Sequence, residues 1–106
     1  MKRIFFFSVP LLVALNLFAK EVYIYPGPNA QERLQEALIL IEEGDTLIIK
    51  SGYYKFEDGL SLDVDNVTVK GDGIDSTILD FKNQQSGAQG LLVTSDRVTL
   101  SDFSIL

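Results

Sequence analysis

The chain has 106 residues, fifteen of them acidic and nine basic, and its formal net charge is −6. It contains no cysteine and no histidine, which excludes disulfides, Cys/His zinc sites, a Ser-His-Asp triad and a thiol nucleophile. The negative charge also argues against a nucleic-acid partner and against an anionic membrane surface, since neither attracts an anion.

The first nineteen residues are typical of an export signal. Lys2 and Arg3 supply a basic start, residues 4–18 form an apolar run, and Ala19 is a small residue before a cleavage site. The alternative is an uncleaved anchor, but fifteen residues span about 22 Å as a helix and the hydrocarbon core is roughly 30 Å thick. We therefore predict a signal peptide over 1–19 and an exported mature chain, periplasmic or extracellular and without a membrane segment, over 20–106.

One amphipathic helix is predicted after a short β-like stretch at residues 22–25. Asn29 is expected as its N-cap, with Glu32 as the reciprocal partner of a capping box, and Gly44 is expected to end it after Glu43. Apolar residues at helical spacing define one face: Leu34, Ala37, Leu38 and Ile41, widened by Ile39 and Leu40. The other face carries mostly Gln31, Glu32, Gln35, Glu36 and Glu42.

Downstream of the helix, apolar residues recur in pairs separated by one residue, which is typical of short strands with one buried face. The pairs are Leu47/Ile49, Leu60/Leu62, Val67/Val69, Leu79/Phe81, Leu91/Val93, Val98/Leu100 and Phe103/Ile105. Glycine, aspartate and asparagine lie between the pairs, as expected of tight corners.

An internal repeat indicates how these strands are arranged. Residues 59–69 overlay residues 90–100 at an offset of 31, and Val67/Val69 is taken to repeat Leu47/Ile49 at an offset of twenty. Repeats of this length predict a solenoid whose coils stack their inward residues at roughly 4.8 Å per coil. The extra length of the longer repeat is expected to form a solvated loop at residues 84–89.

At this point the sequence resembles a known family. Residues 35–38 (QEAL), 44–49 (GDTLII) and 52–54 (GYY) look like the entry segment of right-handed parallel β-helix proteins of the pectate-lyase-like superfamily, and residues 60–80 are similar to their first turns. The resemblance implies an all-β fold: the start of a right-handed parallel β-helix (solenoid) with an N-terminal amphipathic capping helix. The family includes polysaccharide lyases, hydrolases and uronate epimerases, whose catalytic groups usually sit on middle coils.

The last residues, 103–106, read as strand without a polar cap, whereas solenoids normally carry caps at both ends. We therefore expect residues 20–106 to be the cap and first coils of a β-helix that is incomplete at its C-terminal end. Self-association through that uncapped end is a further expectation, because open strand edges invite pairing.

Four aspartates are candidate metal ligands: Asp63, Asp65, Asp72 and Asp75. Carboxylates suit calcium, which could also bridge the acidic surface to an acidic polysaccharide, and no other cofactor is expected. The favoured alternative is that these residues occupy corners between strands, because short aspartate side chains bond to the local backbone.

Tyr53, Tyr54 and Lys55 are candidate substrate-binding residues, since aromatic rings stack on sugars and a lysine could meet a carboxylate. The favoured alternative is that consecutive residues of this segment simply alternate between the inside and the outside of a strand.

Two functions remain open. The first is an exported module, non-catalytic by itself, that binds carbohydrate or has a structural role. The second is the N-terminal fragment of a polysaccharide lyase or uronate epimerase whose active site lies beyond Leu106. No catalytic residue is assigned, because nothing distinguishes the available cations Lys50, Lys55, Lys70, Lys82 and Arg97 as partners for a uronate carboxylate.

Overall fold

The structure, a computed structural model, describes residues 19–106, and the predicted signal peptide lies outside the described residues except for Ala19. Strands predominate, with one short helix. The elements are β1 (Glu21–Ile24), α1 (Ala30–Leu40), β2 (Thr46–Ile49), β3 (Gly52–Lys55), β4 (Asp58–Leu62), β5 (Thr68–Gly71), β6 (Thr77–Asp80), β7 (Ser86–Val93), β8 (Thr99–Ser101) and β9 (Ser104–Ile105). Over residues 19–106, no helix has the length and apolar character needed to cross a membrane.

The strands form three sheets, and every pairing between the described strands is parallel. Sheet A has the order β1-β2-β5-β8, sheet B the order β3-β6-β9, and sheet C contains β4 and β7. From β2 onward the chain enters A, B and C in turn and then repeats this circuit. Each later strand therefore lies beside a strand formed one circuit earlier, and none of these pairs is a hairpin.

The register confirms the 31-residue repeat. Leu60 pairs with Leu91 in sheet C, and Thr68 pairs with Thr99 in sheet A, each 31 positions apart. The shorter offset predicted from the sequence was wrong, because Leu47 pairs with Val69, 22 positions later. The error arose because apolar pairs separated by one residue can be aligned in several registers when no other residue type marks the match.

The extra length of the longer circuit is accommodated at the start of β7. Ser86 and Leu91 are five positions apart, whereas their partners Asp58 and Leu60 are two apart, so β7 holds three additional residues there. The predicted loop at 84–89 is therefore only partly a loop, since the chain is strand from Ser86 onward.

The core runs along the inside of the three sheets. Alternate residues of β4 are buried, with Leu60 1% and Leu62 0% exposed. Rings from successive circuits also stack inside, and the centroids of Phe56 and Phe81 are 4.7 Å apart at an interplanar angle of 17°. These contacts bury apolar area, which is the main favourable contribution to folding.

The helix begins at the predicted residue, but neither of its ends is formed as expected. Asn29 occupies the N-cap position in a left-handed conformation (φ 61°) and makes no side-chain capping bond, so the predicted capping box with Glu32 is wrong. A capping side chain normally needs an extended backbone, which Asn29 does not have. The helix ends at Leu40 because Ile41 is extended, and Gly44 lies in the following corner instead, where its N–H donates to Asn66 O at 2.7 Å.

Helix α1 packs against β1, β3 and β4, the first strand of each of the three sheets. Leu34 and Leu38 are buried in this contact. Ile39 and Leu40 do not widen the buried face as predicted, since they are 65% and 66% exposed. Leu38 lies on the same last turn and is 2% exposed, so the buried face of the helix is narrower than the sequence suggests.

Two glutamines of α1, expected on the solvent face, bond to the backbone of the β4 edge. The side chain of Gln35 accepts from Ser61 N at 3.0 Å and donates to Ser61 O at 3.1 Å. Gln31 accepts from Glu57 N at 2.9 Å. An edge strand exposes unpaired backbone groups that attract other chains, and these side chains occupy some of those groups.

Candidate functional site

A groove of about 550 Å³ lies between the start of α1 and strand β3. One wall consists of residues 29–32 and the other of Tyr53–Lys55, and Gly27 and Glu57 also line it. The topology creates this groove because α1 crosses the first strand of sheet B. Two of the three predicted substrate-binding residues, Tyr53 and Lys55, therefore lie exposed in this groove, opposite the start of α1.

The predicted alternation of β3 is confirmed. Tyr53 is 48% exposed, whereas Tyr54 is 2% exposed, and its hydroxyl donates to Lys50 O at 2.8 Å. Burial raises the pKa of Tyr54 to about 12. Tyr54 therefore packs in the core and offers no ring face to a ligand, while Tyr53 and Lys55 lie on the outer surface.

The ring of Tyr53 is held in place by Asp80. The Tyr53 hydroxyl donates a hydrogen bond to one carboxylate oxygen, and the other oxygen accepts from Lys82 N at 2.9 Å. Tyr53 pairs with Ile78 in sheet B, so Asp80, two residues further along β6, lies on the same outer face. The bond raises the pKa of Tyr53, and the bonds from Tyr53 and Lys82 hold the pKa of Asp80 below its ordinary value.

This arrangement suits binding better than proton abstraction. A general base for the carbon next to a uronate carboxylate must be deprotonated near neutral pH. Tyr53 does not meet this requirement, because the adjacent carboxylate stabilises its protonated form and raises its pKa. What the groove offers is a fixed aromatic ring, the ammonium of Lys55 and the carboxylates of Glu32 and Glu57.

The four candidate metal ligands divide between two corners of the chain. Asp63 and Asp65 lie between β4 and β5, and Asp72 and Asp75 lie between β5 and β6. Within residues 19–106, no set of three or more acidic side chains has an arrangement that could hold a metal ion. The structure therefore does not bring these four residues together.

Three of these aspartates bond to neighbouring circuits of the chain. Asp63 accepts from Thr94 Oγ1 at 2.8 Å, and Asp65 accepts from Asp96 N at 2.9 Å. Asp72 accepts from Ser51 N at 2.7 Å, and this bond holds the pKa of Asp72 below its ordinary value. The aspartates lie at corners, as the alternative interpretation expects, but these three bonds join neighbouring circuits and not the local backbone that it names.

Sequence reasoning missed two features of this site: Asp80, which bonds to Tyr53 but does not line the groove, and the wall that the start of α1 provides. The link between β3 and β6 spans 25 positions, as in the pairing of Lys55 with Asp80. The segments GYYK and TILD share no residue, so no repeat signal could reveal this register.

Comparisons with known proteins do not assign a family. No protein-family model, no curated protein and no solved structure matches the chain. Any function must therefore be argued from the residues and their geometry.

Proposed function

We propose that this chain is the amino-terminal part of an exported right-handed parallel β-helix protein of the pectate-lyase-like type, and that it is a non-catalytic module that binds polysaccharide. Tyr53 carries this proposal, because its half-exposed ring is held by Asp80 beside Lys55 in a groove.

The fold part of the proposal is supported by the order in which the chain visits its sheets. Three parallel sheets entered in rotation are expected of a coil that rises by one strand per circuit. Helix α1 contacts the first strand of each sheet, and Gln31 and Gln35 bond to the β4 edge. Both features are expected of a helix that caps the first coil and protects its open edge.

The binding part is supported by the chemistry of the groove. A sugar ring has an apolar face that packs on an aromatic side chain, and its hydroxyls both donate and accept hydrogen bonds. Tyr53 provides the aromatic face, Lys55 a donor, and Glu32 and Glu57 acceptors. The bond to Asp80 fixes the Tyr53 ring before a ligand arrives, which lowers the entropy cost of binding.

The test is binding of the purified protein to immobilised polysaccharides, one set rich in uronates and one set neutral. We expect Tyr53→Ala to weaken binding about tenfold, which corresponds to about 1.4 kcal/mol. Tyr23→Ala is the matched control, since Tyr23 is 45% exposed and also donates to a carboxylate, that of Glu21. The control should bind like the unaltered protein.

Three outcomes would overturn the proposal: no binding to any polysaccharide, equal binding by Tyr53→Ala, or equal losses in both variants. Release of shortened or epimerised sugar by this chain itself would likewise contradict a non-catalytic module. The enzyme alternative is tested instead by the codons after Leu106, since further coils with clustered Asp, Lys, Arg, His or Tyr on one face would favour it. In that alternative the chain is the N-terminal fragment of a polysaccharide lyase or uronate epimerase whose active site lies beyond Leu106.

A structural role through self-association is a second candidate. Among the described strands, β8 and β9 each have one paired neighbour, and they present Leu100 and Ile105, which are 42% and 48% exposed. An open strand edge with apolar side chains favours pairing with another copy. Sedimentation velocity should then show association that rises with concentration and falls in Leu100→Lys; a monomer at all concentrations would contradict it.

A further inference from the structure

Asp45 is a buried carboxylate at the corner that precedes β2. Its side chain is 1% exposed, and both of its oxygens accept hydrogen bonds. Oδ2 accepts from Glu42 N at 3.0 Å and from the Lys20 ammonium at 2.9 Å. Burial acts to raise the pKa of Asp45, but the bonds from Lys20 and Glu42 outweigh it and hold the pKa below its ordinary value.

The other oxygen of Asp45 bonds to the backbone of the same lysine. Lys20 N donates to Asp45 Oδ1 at 2.9 Å, and Lys20 O accepts from Thr46 N at 3.0 Å. Lys20, the residue directly before β1, therefore makes hydrogen bonds through its backbone nitrogen, its backbone carbonyl and its side-chain ammonium. Ala19, the residue before it, is exposed.

We propose that proteolytic processing between Ala19 and Lys20 adds a second ion pair to the buried carboxylate of Asp45, formed by the new α-ammonium group of Lys20. The inference rests on the export signal in the proposed function and is independent of polysaccharide binding.

The chemistry is a peptide hydrolysis by a leader endopeptidase. Water adds to the Ala19 carbonyl, the C–N bond to Lys20 breaks, the leader leaves as a carboxylate, and the Lys20 nitrogen becomes –NH3+ at neutral pH. The atom that already lies 2.9 Å from Asp45 Oδ1 thereby gains a positive charge. The bond to the Asp45 carboxylate is charge-assisted before processing, and processing adds the attraction between two opposite charges.

The charges around this nitrogen favour the ammonium form. The carboxylates of Asp45 and Glu42 contact Lys20, and Glu21 is the next residue in β1. The nearby positive charge is the side-chain ammonium of Lys20 itself. Among residues 19–106, the cation that bonds to buried Asp45 is the half-exposed Lys20 ammonium, and processing adds a second cation. The processed protein should therefore be more stable than one in which the Lys20 nitrogen remains an amide.

The experiment begins with export of the full chain and determination of its first residue by mass spectrometry, which should be Lys20. The comparison form has two glycines inserted between Ala19 and Lys20, so that processing leaves the Lys20 nitrogen as an amide and the α-amine about 7 Å away. At pH 7 we expect the Tm of the processed wild type to be higher by roughly 4–8 °C, the shift that about 1 kcal/mol produces in a domain of this size.

The pH dependence of the Tm distinguishes the contribution of the Lys20 α-amine from that of the Lys20 side chain. The ordinary α-amine pKa is about 7.7–8.0, and Asp45 should raise it in the folded state. The added stability is then complete below about pH 7 and is lost as the pH rises through the raised folded value. The bond to Asp45 also raises the pKa of the Lys20 side chain, which stays charged over this range.

Two further measurements of the Tm difference test the proposal. The Tm difference between the two forms should disappear by about pH 10, and at pH 7 it should be absent in an Asp45→Asn background. If that background does not fold, the glycine comparison and its pH dependence remain sufficient. A first residue other than Lys20 would overturn the processing site, whereas equal Tm values at pH 7 would overturn the ion pair alone. Neither failure would affect the polysaccharide assay.

Discussion

The hydroxyl of Tyr53 donates a hydrogen bond to the carboxylate of Asp80, and this bond joins two adjacent strands on the outer face of sheet B. The same bond orients the aromatic ring that lines the groove beside α1. Folding stability and the proposed binding of sugar therefore depend on the same contact. This can be tested because the phenol and the carboxylate respond differently to pH.

Replacing Tyr53 with phenylalanine removes this bond and keeps the ring. We expect the Tm to fall by a few degrees at pH 7, because Asp80 loses a donor to its charged form. The folded pKa of Asp80 is lowered, so its contribution is present above the ordinary aspartate value of about 3.9 and is lost as the pH falls through the folded value. The difference between variant and wild type should therefore shrink in acid.

The control for this prediction is Tyr23→Phe. Tyr23 donates to Glu21, two residues earlier in the same strand, so its bond ties no strands together. We expect a smaller change in Tm than for Tyr53→Phe. A Tyr53→Phe protein with unchanged Tm at pH 7, or with a deficit that does not shrink as the pH falls, would contradict the prediction.

A second prediction tests the inward and outward positions of sheet C. Leu62 is fully buried, whereas Leu92 lies on the outer face of the neighbouring strand and is 42% exposed. We expect Leu62→Ala to lower the free energy of unfolding by about 2–5 kcal/mol, since it leaves a cavity in the core. Leu92→Ala should change it by no more than about 0.5 kcal/mol. Urea unfolding of both variants measures this, and equal losses would show that the register is wrong.

A third prediction concerns Gly71, where two circuits approach closely. A Cβ atom at this position would lie 2.7 Å from the Thr77 Cβ and would also overlap the Asp102 carbonyl oxygen. Because backbone cannot move aside cheaply, Gly71→Ala should lower the free energy of unfolding by about 1–3 kcal/mol. Lys70→Ala, at the preceding exposed position, serves as the control. Wild-type stability of Gly71→Ala would mean that the two circuits are further apart.

A fourth prediction concerns calcium. Asp63, Asp65, Asp72 and Asp75 lie in two separate corners, and three of them bond to neighbouring circuits. We therefore expect EDTA and millimolar calcium to leave the Tm unchanged. A ligand that binds only the folded state raises stability with its concentration, so a Tm that rises with calcium would contradict this expectation.

The sequence predicted the partner of a strand where side-chain type marked the match. Leu60 with Leu91 and Thr68 with Thr99 were both found from the 31-residue repeat, and the structure pairs them. The predicted partner of Leu47 was wrong, because its apolar pair resembles the other apolar pairs. The observed offset is 22 positions instead of twenty. Periodicity shows which face of a strand is buried, but it specifies the partner only when other residues also repeat.

The helix shows a second limit of sequence reasoning. The N-cap rules assume an extended residue before the helix, whereas Asn29 is left-handed, and no pattern in the sequence announces this. Gln31 and Gln35 were placed on the solvent face because they are polar. Their bonds to Glu57 and Ser61 depend on where α1 crosses β4, which is a tertiary relationship.

The groove could be predicted only in part. The aromatic pair at 53 and 54 was visible, and strand alternation correctly implied that just one ring would face outward. The partner Asp80 lies 27 residues from Tyr53, and a link of that length needs the register of sheet B.

The widened start of β7 has a consequence for how such a chain can be altered. It takes up three residues, yet Leu62 still pairs with Val93 immediately afterwards. A one-residue change of length inside β5 would instead turn the inward side chains that follow it in that strand outward, because strand faces alternate with every residue. New peptide segments for display or labelling should therefore be inserted at the start of β7, where the strand pairing resumes after the extra residues.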